Sequence, residues 1–444
     1  MNLTSSLLLT LSRKRRMMKS KVIAITLGCS KNTVDTEHIL AALPSELFDV
    51  TQEDDGGYAD YLLVNTCGFI GDAKEESIQA VLSCVEKKKA GLVGKLIVFG
   101  CLSQRYMNEL KPEIPEVDAW FGARDFAPVA KYIWPEAELG TYRKFSGSSY
   151  AYLKISEGCD RRCSYCAIPL IRGAHRSVPK ETLVKEAGEL AAKGVRELIL
   201  IAQDSTFYGL DLYGHRALAE LLQELSEVPG IEWLRIHYSY PADFPQDVLD
   251  QMANNPKVCK YLDIPLQHIS DRVLDNMHRH VTGAWTRELI GKLRNEVPGV
   301  ALRTTMIVGH PGETEKDFEE LLQFVAEARF ERLGAFKYSE EEGTWGAANL
   351  EDNVPEAEKE SRYERLMEAQ AEISLNYNQS RVGTVERVLV DAIADGRLVC
   401  RSQYESPEVD GEISVPATEG IKPGDFIDVR ITAADYYDLT AELI

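Results

Sequence analysis

EGCDRRCSYCAIP, residues 157–169, sets three cysteines at C-x3-C-x2-C spacing: Cys159, Cys163 and Cys166. It directly follows YAYLKIS (150–156), a predicted strand, so the cysteines fall on a loop at a strand's C-terminal end. That is where barrels of alternating strands and helices carry their chemistry. Thiolates are soft ligands suited to zinc or to iron-sulfur clusters, and a four-iron cubane normally takes four of them. Three ligands would leave one iron open to bind a substrate, as an open position does in catalytic zinc sites. A zinc site completed by a distant ligand, or cysteines that merely pack, are the other readings.

On both sides of this loop the chain alternates short apolar runs with helical stretches, the pattern of parallel α/β architecture. YAYLKIS, RELILIA, EWLRIHY, KYLDIPL, ALRTTMIVG and RLGAFKYS predict six strand-helix repeats, an open version of the eight-stranded barrel. Residues 356–379 predict a closing helix, and VERVLVDAI, GRLVCRS, GEISVP and DFIDVRI then predict a small β-barrel. Upstream, KVIAITLG, YLLVNTCGF, KLIVFGC and DAWFG predict a doubly wound parallel sheet. The expected domains are 20–142, 143–376 and 377–444. Residues 1–19 are expected to be a disordered tail, because the basic cluster Arg13 to Arg16 follows the apolar run Leu7 to Leu11 instead of preceding it as in a signal peptide. Met17 or Met18 is the expected natural start.

A second trio is spread far along the chain. Cys29, Cys67 and Cys101 each end a predicted strand, in ITLGCS, LVNTCGF and IVFGCLS. In a parallel sheet those ends share one edge, where ligands bind. Gly28, Gly68 and Gly100 adjoin them, as expected where backbone approaches a bulky cofactor. Alone, each cysteine would read as buried and inert; three in register predict a second cluster, again with an open iron. Cys84, Cys259 and Cys400 lack such placement and are assigned to packing.

The 444 residues suffice for about three domains. Fifty basic against seventy acidic residues give a net charge of −20, which opposes loose binding to nucleic acid and suits a basic partner. Nine cysteines without an export signal point to a reducing, cytoplasmic compartment and to metal or catalytic use. No stretch is long and apolar enough to span a membrane.

Together, LGCSKNTVDTE (27–37), VNTCGFI, EGCDRRCSYCAIPLIRG, DIPLQH (263–268), GHPGET (309–314) and YSEEEGT resemble the methylthiotransferases of the radical S-adenosylmethionine (SAM) superfamily from Lys21 to Ile444. The resemblance implies an N-terminal domain with three cysteines, a radical SAM partial barrel and a C-terminal TRAM barrel. SKNTVDTE resembles the RimO branch, which modifies an aspartate in a small-subunit ribosomal protein; the alternative is the branch that modifies adenosine in transfer RNA. From 378 to 444, six basic against thirteen acidic residues give −7, which suits a basic ribosomal protein better than RNA. An aromatic such as Phe is expected where His310 stands, a departure that bears on local packing.

What the resemblance implies is replacement of a carbon-bound hydrogen by a methylthio group. Two 4Fe-4S clusters are implied, one on Cys159, Cys163 and Cys166 and one on Cys29, Cys67 and Cys101. SAM has two roles, as radical source and as methyl donor, and the β-carbon of an aspartate is attacked. A reducing electron donor and a sulfur source are needed as partners. Tyr165, before the last cysteine of the loop, matches a position near the adenine. Gln203 and Asp204 end RELILIA and Arg303 opens RTTMIVG, so all three are candidate SAM contacts, each with a turn or helix cap as the competing reading. Gly309 to Glu313 form either a glycine-rich turn or a wall of the SAM pocket. His268 is expected to be structural. An iron-sulfur carrier or redox sensor is the non-enzymatic alternative.

Overall fold

The structure is a computed structural model that describes residues 19–145, 147 and 149–444. The expected tail lies outside the described residues, apart from Lys19. Two compact units divide the chain at Lys144.

The first unit is a five-stranded parallel sheet in the order Phe48–Thr51, Ser20–Thr26, Ala59–Thr66, Val93–Gly100, Ala119–Trp120. Val22, Ala24, Leu63 and Ile97 pack against Ile39, Leu40, Val129 and Ile133 of two helices on one face. Ile23, Leu62, Val64 and Leu96 pack against Val81, Cys84 and Val85 on the other. Such alternation along strands buried on both sides is what near-continuous apolar runs produce. The doubly wound sheet therefore stands as expected, with one strand, Phe48–Thr51, that its four residues and polar flank did not announce. Strand order reverses beside Ser20–Thr26, and an open sheet forms its ligand crevice at the carboxyl ends there.

In the second unit six parallel strands pair strictly in chain order: Tyr150–Lys154, Glu197–Ile201, Trp233–Ile236, Val258–Asp263, Ala301–Val308 and Arg332–Lys337. The sheet stays open, the partial barrel expected. Apolar residues of its intervening helices and its outward-facing positions form one large core. A 25-residue helix, Glu356–Ser380, leads into a closed five-stranded barrel. Four of its strands were expected; the fifth, Leu439–Leu443, closes it by pairing antiparallel with Phe426–Ala434 and parallel with Ile413–Pro416. Cys400 is fully buried in the barrel core, as its assignment to packing requires.

Residues 401–410 of the barrel lie against all six strands of the open sheet. Tyr150 and Tyr152 donate to Glu408, each at 2.9 Å, and Arg401 meets Glu197. Arg235 donates to the carbonyl of Gln403, Tyr261 to Asp410, and Arg332 to Glu405. Arg303 lies 3.6 Å from Asp410. Among the described residues no helix is long and apolar enough to cross a membrane.

Candidate functional site

In the first unit the strands ending in Thr26, Thr66 and Gly100 are immediate neighbours, so Cys29, Cys67 and Cys101 follow three adjacent strand ends. Asn32 ties the three loops together. Its side-chain amide donates to the carbonyls of Leu27 at 2.8 Å and Thr66 at 3.4 Å, and the Cys101 thiol lies 3.9 Å from its oxygen. Ser77 holds the Cys67 backbone from both sides, accepting from its N–H at 2.9 Å and donating to its carbonyl at 2.8 Å.

Glycine is required at this crevice. Gly28 has φ +90°, and a Cβ there would sit 2.7 Å from the Cys67 Cβ and 2.9 Å from its sulfur. A Cβ on Gly68 would lie 2.6 Å from the Cα of Leu102. Cys67 and Cys101 are buried and Cys29 is exposed, so the trio opens outward through one ligand. Asn32 and Ser77 carry no periodic signal of their own; Asn32 falls inside the SKNTVDTE motif, which marked the segment but not its task.

In the second unit the loop after Tyr150–Lys154 holds Cys159, Cys163 and Cys166. Ser164 pins it by donating its N–H to Met277 and accepting from Gly346 N–H at 2.7 Å. Burial pushes the Cys159 thiol up to about 12 and raises Cys166 as well, so both are neutral thiols until a metal displaces their protons. Among the described residues the nine cysteines form no disulfide with one another. Among the described residues no three His, Cys, Asp or Glu side chains close on one point as ligands of a single metal ion would. A four-iron cluster instead takes each thiolate on a different iron, over a wider cradle. Three thiols per trio, partly open, have the donor chemistry such a group needs, and the loop trio also has the unpartnered buried Ser164 hydroxyl within it and the Gln203 amide oxygen on the residue that bonds Glu157.

The six candidate SAM contacts divide. Tyr165 packs beside Val273, Met277, Ile307 and Tyr338, next to Cys163. Gln203 donates to Glu157 at 2.7 Å, and Glu157 also meets Lys154 and Arg172. Asp204 caps the turn Ser205–Phe207 by accepting from Thr206 N–H, and it pairs with Arg161 at 2.9 Å. Arg303 is held at 3.0 Å by Asp263, with Asp410 of the barrel behind it. Glu313 folds back on its own turn, accepting from the N–H groups of Gly309 and His310 and from Arg362. Gly309 faces the Lys359 chain, which a Cβ would meet at 2.3 Å. Asp204 and Glu313 thus each accept from both backbone N–H and a guanidinium in this structure.

His268 is fully buried and its Nδ1 accepts from Ser270 N–H at 3.0 Å, a structural task. His310 stands edge-on between Tyr165 and Tyr338, with ring centroids 6.5 and 5.1 Å away. It fills the place of an aromatic, and burial holds it neutral by pulling its pKa down to about 4. Sequence reasoning missed Glu157, Arg161 and Arg279 around the loop, although the first two lie within the quoted motif.

Three family descriptions match the chain: Uncharacterized protein family UPF0004 over residues 21–122, Radical SAM superfamily over 153–325 and TRAM domain over 382–444. It is 52% identical over 433 residues to a ribosomal protein uS12 methylthiotransferase RimO of Porphyromonas gingivalis, covering 96% of this chain and all of that relative. The like-named protein of Christiangramia forsetii is 49% identical over 434 residues, covering 97% and 96%. Among solved structures, the radical SAM methyltransferase TsrM of Kitasatospora setae is similar in fold, with a TM-score of 0.54 at 14% identity over 71% of this chain and 73% of that one. The doubly wound domain with its thiol trio, the open six-stranded sheet with its cysteine loop and the closing barrel are thus those of the ribosomal protein uS12 methylthiotransferase family of radical SAM enzymes, to which this chain belongs.

Proposed function

We propose that the chain adds a methylthio group to the β-carbon of an aspartate in ribosomal protein uS12, in the cytoplasm. The observation that carries this is the pair of thiol trios, each at the carboxyl ends of parallel strands. Cys159, Cys163 and Cys166 hold one 4Fe-4S cluster and Cys29, Cys67 and Cys101 the other. When bound, these clusters and SAM supply the radical that removes hydrogen and the sulfur and methyl group that replace it.

The chain's own residues position that chemistry. Ser164 fixes the height of the cysteine loop through its two backbone bonds. Tyr165 offers an apolar ring beside Cys163 as a wall for the SAM adenine, and Gln203 offers a buried, unpartnered amide oxygen to a SAM donor group. Asn32 and Ser77 keep the second trio in register at the strand ends, where its thiols would hold the other cluster. Arg303, Asp204, Gly309 and Glu313 act one layer out, holding the walls on which the contacts depend. The acidic barrel, with its net charge of −7 from 378 to 444, favours a basic protein partner.

Reconstituted protein supplied with SAM, a reductant and either uS12 or transfer RNA tests the reading. Methylthio incorporation into the aspartate of uS12 is expected. Incorporation into RNA and none into protein would overturn the substrate, and cluster transfer without SAM cleavage would overturn the enzyme.

A further inference from the structure

Arg279 lies in the short segment between the helices Asp271–Asn276 and Gly283–Glu296. His278 and His280 on either side of it both have φ +56°, a left-handed conformation that residues with a Cβ adopt only when their surroundings impose it. Their rings lie stacked at an interplanar angle of 18°, and His280 is exposed. Arg279 is instead turned inward and is 4% exposed.

Its Nη2 donates to the Pro265 carbonyl at 2.6 Å, and its Nη1 to the Cys163 sulfur at 3.5 Å. The guanidinium lies over the Tyr240 ring at 4.3 Å, and its Nε is buried with no hydrogen-bond partner. The groups that face it are Tyr165, Cys163 and Tyr240. Among the described residues it has no carboxylate partner. The other seven buried arginines each have one, as Arg172 has Glu157 and Arg362 has Glu313.

A guanidinium does not shed its proton, and a buried charge is strongly disfavoured unless paired. Tyrosine hydroxyls and the Pro265 carbonyl do not supply the missing charge. Three thiolates bound to a four-iron cluster do, since cluster and ligands together are anionic and gain a further negative charge on reduction.

We propose that Arg279 is a positioning residue that serves as counter-charge to the cluster on Cys159, Cys163 and Cys166 and, through its bond to Cys163, favours the reduced form. The proposal rests on those three cysteines being the ligands. Positive charge and hydrogen bonds at cluster sulfurs raise the reduction potential, and partners behind the ligands tune a metal site as much as the ligands do.

The test uses the full chain with Cys29, Cys67 and Cys101 changed to Ala, so that one cluster alone reports. Its midpoint is followed by EPR during redox titration with Arg279, Arg279→Lys and Arg279→Met. At a potential near the parent midpoint, Arg279→Met is expected to lower the reduced-to-oxidised ratio about tenfold, about 59 mV for a one-electron couple. Arg279→Lys should recover most of that ratio. Melting of the cluster-free chain gives an independent readout: Arg279→Met should melt at the same temperature or higher, because an unpaired buried cation has been removed.

An unmoved midpoint with about four irons bound overturns the proposal alone. So does a lower melting temperature of the cluster-free Met variant, which would mark an ordinary structural arginine. Should Arg279→Met fail to hold iron, loading restored by Lys supports the counter-charge and loss in both variants refutes it. A parent chain that binds no iron overturns the ligand assignment and the proposal with it.

Discussion

Arg401 of the barrel and Glu197 of the open sheet form a buried ion pair at 2.8 Å, although 204 positions separate them in the chain. The same carboxylate holds Arg235 at 2.6 Å, so Glu197 joins two guanidiniums, of which Arg401 has a second carboxylate in Asp391. Removing it would take from buried Arg235 the carboxylate that pairs it and leave Arg401 with Asp391. Glu197→Ala is expected to destabilise the second unit by about 3–5 kcal/mol, the range for breaking a buried pair. Urea denaturation checks this, and a loss below about 1 kcal/mol would show that Asp391, the other carboxylate on Arg401, suffices.

Glu405 gives the same junction an acid limit. Burial alone would raise its pKa, but the charges of Arg381 and Arg332 and their hydrogen bonds outweigh it and hold the carboxyl at about 2 instead of 4.5. A depressed pKa contributes stability above the unfolded value that is lost as pH falls through the folded one. About 3 kcal/mol is expected to disappear between pH 4.5 and about 2. Glu405→Gln should flatten that limb and lower stability at pH 7. Identical acid limbs in the two chains would refute the assignment.

Gly68→Ala tests the trio of Cys29, Cys67 and Cys101 without touching a thiol. The added carbon would stand 2.6 Å from backbone of Leu102 and 2.9 Å from that of Cys101, and backbone cannot yield as a side-chain tip does. The expected result is loss of about half the bound iron, measured after anaerobic reconstitution, with SAM cleavage retained. Full iron content would mean that the crevice is wider than its cysteines require.

His310→Phe restores the aromatic that the family resemblance predicts. His310 is fully buried and both ring nitrogens lack hydrogen-bond partners. Removing unsatisfied buried polar atoms should stabilise the chain by about 1 kcal/mol, seen as a higher melting temperature, with 5'-deoxyadenosine production unchanged. A loss of SAM cleavage with normal folding would instead give His310 a polar task beside Tyr165.

The cysteine loop, both parallel sheets and the neighbouring ends of Ser20–Thr26, Ala59–Thr66 and Val93–Gly100 were legible because apolar periodicity and ligand spacing are local properties. Phe48–Thr51 and Leu439–Leu443 were not, since short strands at a sheet edge or a barrel seam take their identity from the partner they pair with. The polar candidates divided along the same line. Cys159, Cys163 and Cys166 need only their spacing, whereas the tasks of Asp204, Arg303 and Glu313 depend on which donors and carboxylates surround them. For Arg303 that meant Asp410, 107 positions away. By itself the sequence determined which cysteines share one loop and which fall at neighbouring strand ends, the places from which they are proposed to bring metal chemistry. Tertiary structure alone decided which charges are neutralised and which, like that of Arg279, are left to be met by the site, because a buried charge is defined by its neighbours in space and not in the chain.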